Sequence, residues 1–368
     1  MTFDVDALLG GARGRRVCIE VAFMLTGSSS PLRAALFWAA YYFGGETQAL
    51  ISSSSGASGE PVAEPAPTAG EIAELITAVP VGEDAMPRGE FAAAIDYALS
   101  TLVDRAMYWQ PPDGTDAIAA TSEVRGSLVG VAEKVLGSPD AAWWQEPVDY
   151  TAQWSVVFDG VPQRLPFLPA AERLSDWRAA TLDDEERAAR DRPVDPHASW
   201  SGTWWSTPSR SLMNTTRAFG ATGPIGLRLV EDRGGWSRAT ATRVVVPEGA
   251  AVYEIDGADA WVELCRRHPL DVTASRRHDW FGATGRDGRW VIPDWSAVAR
   301  EWDAVHLTAA AYLGAAGRAL PVSDDVASVI AGWDPDQTYW LCDVQQETSG
   351  IEAWTEVEDG EWRRPQVG

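Results

Sequence analysis

Lysine is nearly missing from this chain: Lys134 stands alone, and every other cation is an arginine. Cations are scarce altogether, with 30 Lys and Arg against 53 Asp and Glu, a formal net charge of −23 over 368 residues. A field of that sign repels polyanions, so nucleic-acid backbones and anionic membrane surfaces are excluded as expected partners. A local arginine patch can still hold a small phosphate. The lysine shortage accompanies heavy Ala, Gly, Val and Asp usage and reads as codon bias.

Cysteine and histidine are sparse as well. Cys18, Cys265 and Cys342 lie far apart without CxxC spacing, a pattern that fits free thiols in a reducing compartment, the cytoplasm. His197, His268, His278 and His306 are equally scattered, so no metal site is expected. There is no P-loop, no GxGxxG after a strand, no HExxH or GxSxG, and no catalytic-cysteine signature. No stretch reaches the roughly 18 uninterrupted apolar residues a membrane span needs. Arg13, Arg15 and Arg16 before the apolar run Val17–Leu25 imitate a twin-arginine export signal. Glu20 inside that run, and no small-residue cleavage pattern nearby, make it an amphipathic helix instead.

What is present is ample core material. The chain is 45% hydrophobic and 10% aromatic, and its length exceeds one ordinary core, so two domains are expected. The pattern predicts α+β: an all-helical half over 1–150, then a tryptophan-rich mixed α+β half over 151–342 with a short-stranded antiparallel or mixed sheet. An acidic tail is expected over 343–368, where residues 343–362 hold seven acids and no base.

In the first half, Val17, Glu20, Val21 and Met24 recur at helical spacing, as do Leu32, Leu36 and Ala39. Ser30-Pro31 supplies a helix start. Residues 52–69, rich in Ser, Gly, Pro and Ala, read as a flexible loop. Helices are predicted over 70–79, 88–109 and 122–136, with Phe91, Ile95, Ala98, Leu99, Leu102, Val103 and Met107 drawing one stripe. In the second half, strands are predicted at Trp154–Phe158, Gly202–Ser206, Ile225–Val230, Thr242–Val246, Val252–Ile255 and Val305–Leu307. Helices are predicted over 170–190, around Trp261–His268, and after an Asp294 cap, where Trp295, Val298, Ala299 and Trp302 sit at i, i+3, i+4 and i+7. Thirteen of nineteen tryptophans fall between Trp200 and Trp362, which assigns the larger aromatic core, or a stacking surface, to that half.

Candidate chemistry concentrates in two stretches. Ser199–Thr216 combines aromatic rings, a high density of hydroxyls and Arg210. Arg276-Arg277-His278-Asp279-Trp280 is the local basic cluster, either a grip for a pyrophosphate with an indole to stack a base or a surface loop. Within the first stretch, Trp205-Ser206-Thr207 resembles the aromatic-Ser-Thr element of ADP-ribosyltransferase-like folds. That resemblance implies an NAD pocket ordered by Ser206 and Thr207, with a nearby ring against nicotinamide. The arginine or histidine such folds carry on an earlier strand is missing from Trp154–Phe158, and the Gln-x-Glu spacing at Gln345–Glu347 falls in the acidic tail. Glu254, on a strand, is the better-placed carboxylate.

The expectation is therefore an enzyme that uses NAD or a related nucleotide. Glu254, His306 and Ser206 are its catalytic candidates; Trp205, Thr207, Arg210, Arg276, Arg277 and Trp280 are its cofactor-binding candidates. His306 lies three residues from Asp303, a spacing that suits an oriented base. Glu231-Asp232 is a further acid pair that a differently built site, shared with His306, would use, although the run reads more simply as a solvated loop. The alternative class is a non-catalytic acidic protein that engages a basic protein or a small ligand.

Overall fold

The computed structural model describes residues 3–28, 30–43, 66–81, 87–106, 111–161, 168–219, 222–358 and 360–364. Most of the predicted loop, 52–65, lies outside these, as does Met107. The chain divides into two compact units, one drawn from 2–102 and 110–142, the other from 103–109 and 143–368. The helical unit thus ends near 142, somewhat before the expected boundary at 150.

The first unit is helical throughout its described residues. It contains α1 (Val5–Gly10), α2 (Ala12–Thr26), α3 (Pro31–Phe43), α4 (Ala69–Thr77), most of α5 (Arg88–Asp104), α6 (Gly114–Ala119), α7 (Ser122–Ser127) and α8 (Val129–Gly137). Asp4 starts α1 by accepting the Ala7 amide at 2.9 Å, and Thr68 with Glu71 closes a capping box on α4. Ser30 Oγ accepts the Leu32 amide at 3.2 Å, the start expected at Ser30-Pro31. The expected helix 122–136 is two, separated at Leu128. Two of the arginines ahead of the Val17–Leu25 run are bonded within this unit. Arg16 reaches Asp113 at 2.6 Å and Asp116 at 3.2 Å, and Arg15 donates to the Leu9 carbonyl. Gly14 lets α1 and α2 approach, since a Cβ there would lie 1.8 Å from the Leu8 carbonyl oxygen.

The second unit is mixed, giving the α+β class expected. In chain order its elements begin with β1 (Trp154–Phe158), α9 (Ala170–Asp191), β2 (Asn214–Thr215), β3 (Ala218–Phe219), β4 (Gly223–Pro224), β5 (Arg238–Val245) and β6 (Val252–Ile255). There follow α10 (Ala258–Arg267), β7 (Pro269–Asp271), α11 (Thr273–Thr284), β8 (Arg289–Pro293), α12 (Trp295–Val298) and β9 (Ala304–Leu307). The chain continues through α13 (Ala309–Ala315), β10 (Leu320–Pro321), β11 (Val326–Ser328), β12 (Gln337–Trp340), β13 (Gln345–Glu358) and β14 (Glu361–Arg363).

Three small sheets result. One is antiparallel, in the order β1-β5-β13-β14; β3 and β4 form a separate ribbon. The second runs β2-β12-β9-β6, with β6 parallel to β9 and Glu254 beside His306 in register. The third runs β10-β11-β8-β7.

Several expectations are corrected. Gly202–Ser206 forms no strand; its backbone bonds run instead to Asp279 and Ala331. Ile225–Val230 opens as a 3-10 turn, Ile225–Leu227, because Pro224 fixes the entry and the Arg228 and Leu229 amides both turn back to the Ile225 carbonyl. The acidic tail contains β13 and β14: between its carboxylates, Trp354 and Trp362 point inward and pack with Phe158, Leu227, Ala239 and Ala241. Most of the second unit's tryptophans are core. Trp261, Trp295 and Trp333 meet ring to ring at 6.0–6.4 Å, and Trp333 meets Tyr339 at 5.0 Å. No described helix is long and apolar enough to cross a membrane.

Candidate functional site

Glu254 and His306, placed side by side by the parallel β6–β9 pair, do come together. The His306 Nδ1 lies 2.5 Å from Glu254 Oε2, and its Nε2 lies 3.2 Å from Asp336 Oδ1. A neutral imidazole donates once. With a carboxylate at each nitrogen, both must carry hydrogen, so His306 is an imidazolium. Burial opposes that charge, but the hydrogen bonds and charges of Asp336 and Glu254 outweigh it and push the pKa up to about 9.

The chain of charges continues. Arg217 donates from Nε to Asp336 at 2.6 Å and from Nη1 to Glu146 at 2.6 Å, and its Nη2 holds the Glu146 and Pro147 carbonyls. The other Glu254 oxygen accepts the Val148 amide at 3.0 Å. Asp336 sits at φ +59, a conformation non-glycine residues seldom adopt, held by these bonds and by the Arg217 amide. This arrangement clamps 146–148 against the second sheet. A base needs a free lone pair, and His306, 1% exposed, offers none. Asp303, the partner suggested by spacing, instead accepts the Ala251 amide.

Ser206 lies elsewhere and is fully buried. Its amide and hydroxyl pair with the Ala331 backbone, Oγ accepting the Ala331 amide at 2.9 Å, so it joins two segments as a strand bridge would. Thr207 is buried beside it. Trp205 faces away, with the Arg210 guanidinium 4.5 Å over its ring. Glu231 accepts the Tyr312 hydroxyl at 2.6 Å, and Asp232 occupies an exposed turn at φ +50.

The Arg276–Trp280 cluster lies on α11. Its first amides are already taken: Glu185 of α9 accepts from Ala274 at 2.7 Å and from Ser275 at 2.8 Å, filling the place a phosphate would occupy. Arg276 is buried, which lowers its pKa to about 10 against the pull of Asp184 and Glu185, and it bonds Ser275 Oγ and Asp184. Arg277 donates to the Pro193 carbonyl at 3.0 Å. Arg276 and Arg277, expected to grip a pyrophosphate, are thus bonded to the protein's own groups.

The two stretches singled out in sequence nevertheless meet. Asp279 accepts Ser201 Oγ at 2.8 Å and the Gly202 amide at 3.1 Å, and Trp280 Nε1 donates to the Trp204 carbonyl at 2.7 Å. Where 196–201 crosses α11, a surface depression of about 430 Å³ opens, lined by His197, Ser199, Trp200, Ser201, His278 and Phe281. His197 and Phe281 meet edge to face at 4.4 Å, and Trp200 is 45% exposed. His278 is 6% exposed and both its ring nitrogens are sealed from solvent. Burial first, then the charge of Arg277, lowers its pKa, with a hydrogen bond to the Asp195 backbone acting the other way. His278 is neutral at neutral pH.

Among the described residues no group of three or more His, Cys, Asp or Glu side chains has the arrangement to hold a metal ion. No family model matches this chain, and no curated protein or solved structure matches it.

Proposed function

We propose that this chain is a binding protein whose second unit takes a small, ring-bearing ligand in the depression between 196–201 and α11, without covalent chemistry. One observation carries the reading: Trp200, 45% exposed, and the His197–Phe281 ring pair line one surface depression beside α11. Small-molecule sites combine ring faces with a few polar groups, and the lining of this depression offers both in Trp200, Phe281, Ser199 and Ser201. The commitments of the other candidates support binding over catalysis. His306 has both nitrogens engaged and Ser206 is bonded to Ala331, so neither is disposed as a base or nucleophile.

NAD, the ligand implied by Trp205-Ser206-Thr207, carries two such rings and belongs in the test. Calorimetric titration of the full chain with NAD, adenosine and methyl glucoside, beside Trp200→Ala, checks the reading. At least one ligand binds, the Trp200→Ala variant weakens it about tenfold as expected for loss of a stacking face, and NAD is recovered intact. Binding indifferent to Trp200, or none at all, removes the proposal.

A further inference from the structure

We infer that His306 pins a proton-operated latch: when its ring loses a proton, Glu254 turns out to solvent and releases the Val148 amide, while Asp336 stays in place. The latch is independent of the depression beside α11.

Residues 146–148 belong to no helix or strand, so side chains must hold them. Among the described residues, their hydrogen bonds to distant parts of the chain go to two side chains. Arg217 takes the Glu146 carboxylate and the Glu146 and Pro147 carbonyls, and Glu254 accepts the Val148 amide. Those two side chains are joined to each other through Asp336 and His306. The charged groups that face the ring are Glu254 from β6 and Asp336 from the turn before β12; Thr338, opposite it on β12, is uncharged. Arg217 stands behind Asp336, with Glu146 and Asp149 in its field. Tyr150 stands near Glu254; burial, then that carboxylate's charge, pushes its phenol above the ordinary value, so it stays neutral while the ring titrates.

The surroundings decide which side lets go. A neutral imidazole keeps one hydrogen, so one of the two carboxylates must then face a lone pair. The Asp336 side chain is 2% exposed and has no water to turn to, and the Arg217 Nε and amide hold it whatever the ring does. The Glu254 side chain is 28% exposed and regains hydration by turning outward. Leaving a buried charge unpaired costs more than leaving a solvated one, so the hydrogen stays on Nε2 and Glu254 departs. Val148 is 4% exposed, so loss of its acceptor loosens that end of the segment while Arg217 keeps the other.

NMR of the full chain, with nitrogen-15 histidine and carbon-13 valine methyls, tests the latch between about pH 6 and about pH 10.5. The chain has four histidines, so His306→Gln assigns the ring signals. The ring is expected to be doubly protonated at neutral pH and to pass to the Nε2–H tautomer with a midpoint of about 9, the Val148 methyls shifting at the same midpoint. In Glu254→Gln the carboxamide pairs with either form of the ring, by its oxygen or its NH2. The midpoint then falls by about one unit or more, and the Val148 methyls no longer follow it. An Nδ1–H tautomer at high pH overturns the inference, because Asp336 is then the side that lets go. Val148 methyls that stay flat through the ring's midpoint, or a ring already neutral at pH 7, overturn it as well.

Discussion

Replacement of His306 by glutamine isolates the charge at the centre of the Glu254–His306–Asp336–Arg217 chain. The histidine pKa rises from about 6.5 in an unfolded chain to about 9 in the fold. Each unit of such a shift is worth about 1.4 kcal/mol, so full protonation contributes on the order of 3 kcal/mol to stability. The sign follows from the direction. Below pH 6.5 both states bind the proton and the contribution is complete; as pH rises through about 9 the folded state loses it and the contribution vanishes. Urea unfolding followed by tryptophan fluorescence reports on the second unit, where thirteen indoles lie beyond residue 199. At pH 6, His306→Gln is expected to cost about 3 kcal/mol, within the range for breaking a buried charge pair. At pH 9.5 the gap between wild type and variant shrinks below about 1 kcal/mol, because the wild-type ring is then neutral too. A gap that stays constant from pH 6 to 9.5 refutes the imidazolium and returns His306 to the list of possible bases.

Two further substitutions probe other parts of the fold. Gly14→Ala forces a methyl group against the Leu8 backbone, where a Cβ has 1.8 Å of room, so thermal unfolding of the helical unit should show a loss of about 3 kcal/mol or more. A neutral result would mean that α1 shifts freely. Glu185→Gln removes the carboxylate at the α11 amides of Ala274 and Ser275 and should cost about 1 kcal/mol. Hydrogen exchange at those two amides should rise; unchanged protection there would show that the charge is not what holds the helix start.

Much of the fold was legible in local patterns. Trp154–Phe158 is a strand over just the residues predicted, because its neighbours Asp159-Gly160 stop it and its pattern admits no helix. The predicted helix 170–190 and the Asp294 cap also match, being set by local spacing and a single side chain, but the helix after that cap is one turn, Trp295–Val298, and stops short of Trp302. The misses share a cause: a distant contact decides them. Gly202–Ser206 has strand composition, yet its bonds go to Ala331 and Asp279. The acids of 343–362 concealed a period-two pattern that only Trp354 and Trp362 reveal once β5 lies alongside. At the candidate sites, the Glu254–His306 pairing needs the parallel register of β6 and β9, which no local signal encodes. Arg217 carried no motif at all. Asp336 stands in an Asp-Pro-Asp run, but its partners lie 30 and 119 residues away. His278 was noticed as part of a basic cluster; its neutrality follows from burial.

The two polar assemblies of the second unit differ in a way that bears on function. Around His306, the charged groups answer one another: imidazolium with Glu254 and Asp336, guanidinium with the same Asp336, with Glu146 and with a pair of carbonyls, each bond holding one stretch of chain to another. Such a network has little to gain from a ligand, because inserting one would first break charged bonds in a desolvated setting. Around α11 the same logic operates. Asp184 and Glu185 of α9 hold Arg276 and the helix amides, and Asp279 secures the segment that crosses above. What stays open there is a ring face: Trp200 is 45% exposed at the depression it lines. The depression beside Trp200 is therefore where a ligand gains most and the fold loses least.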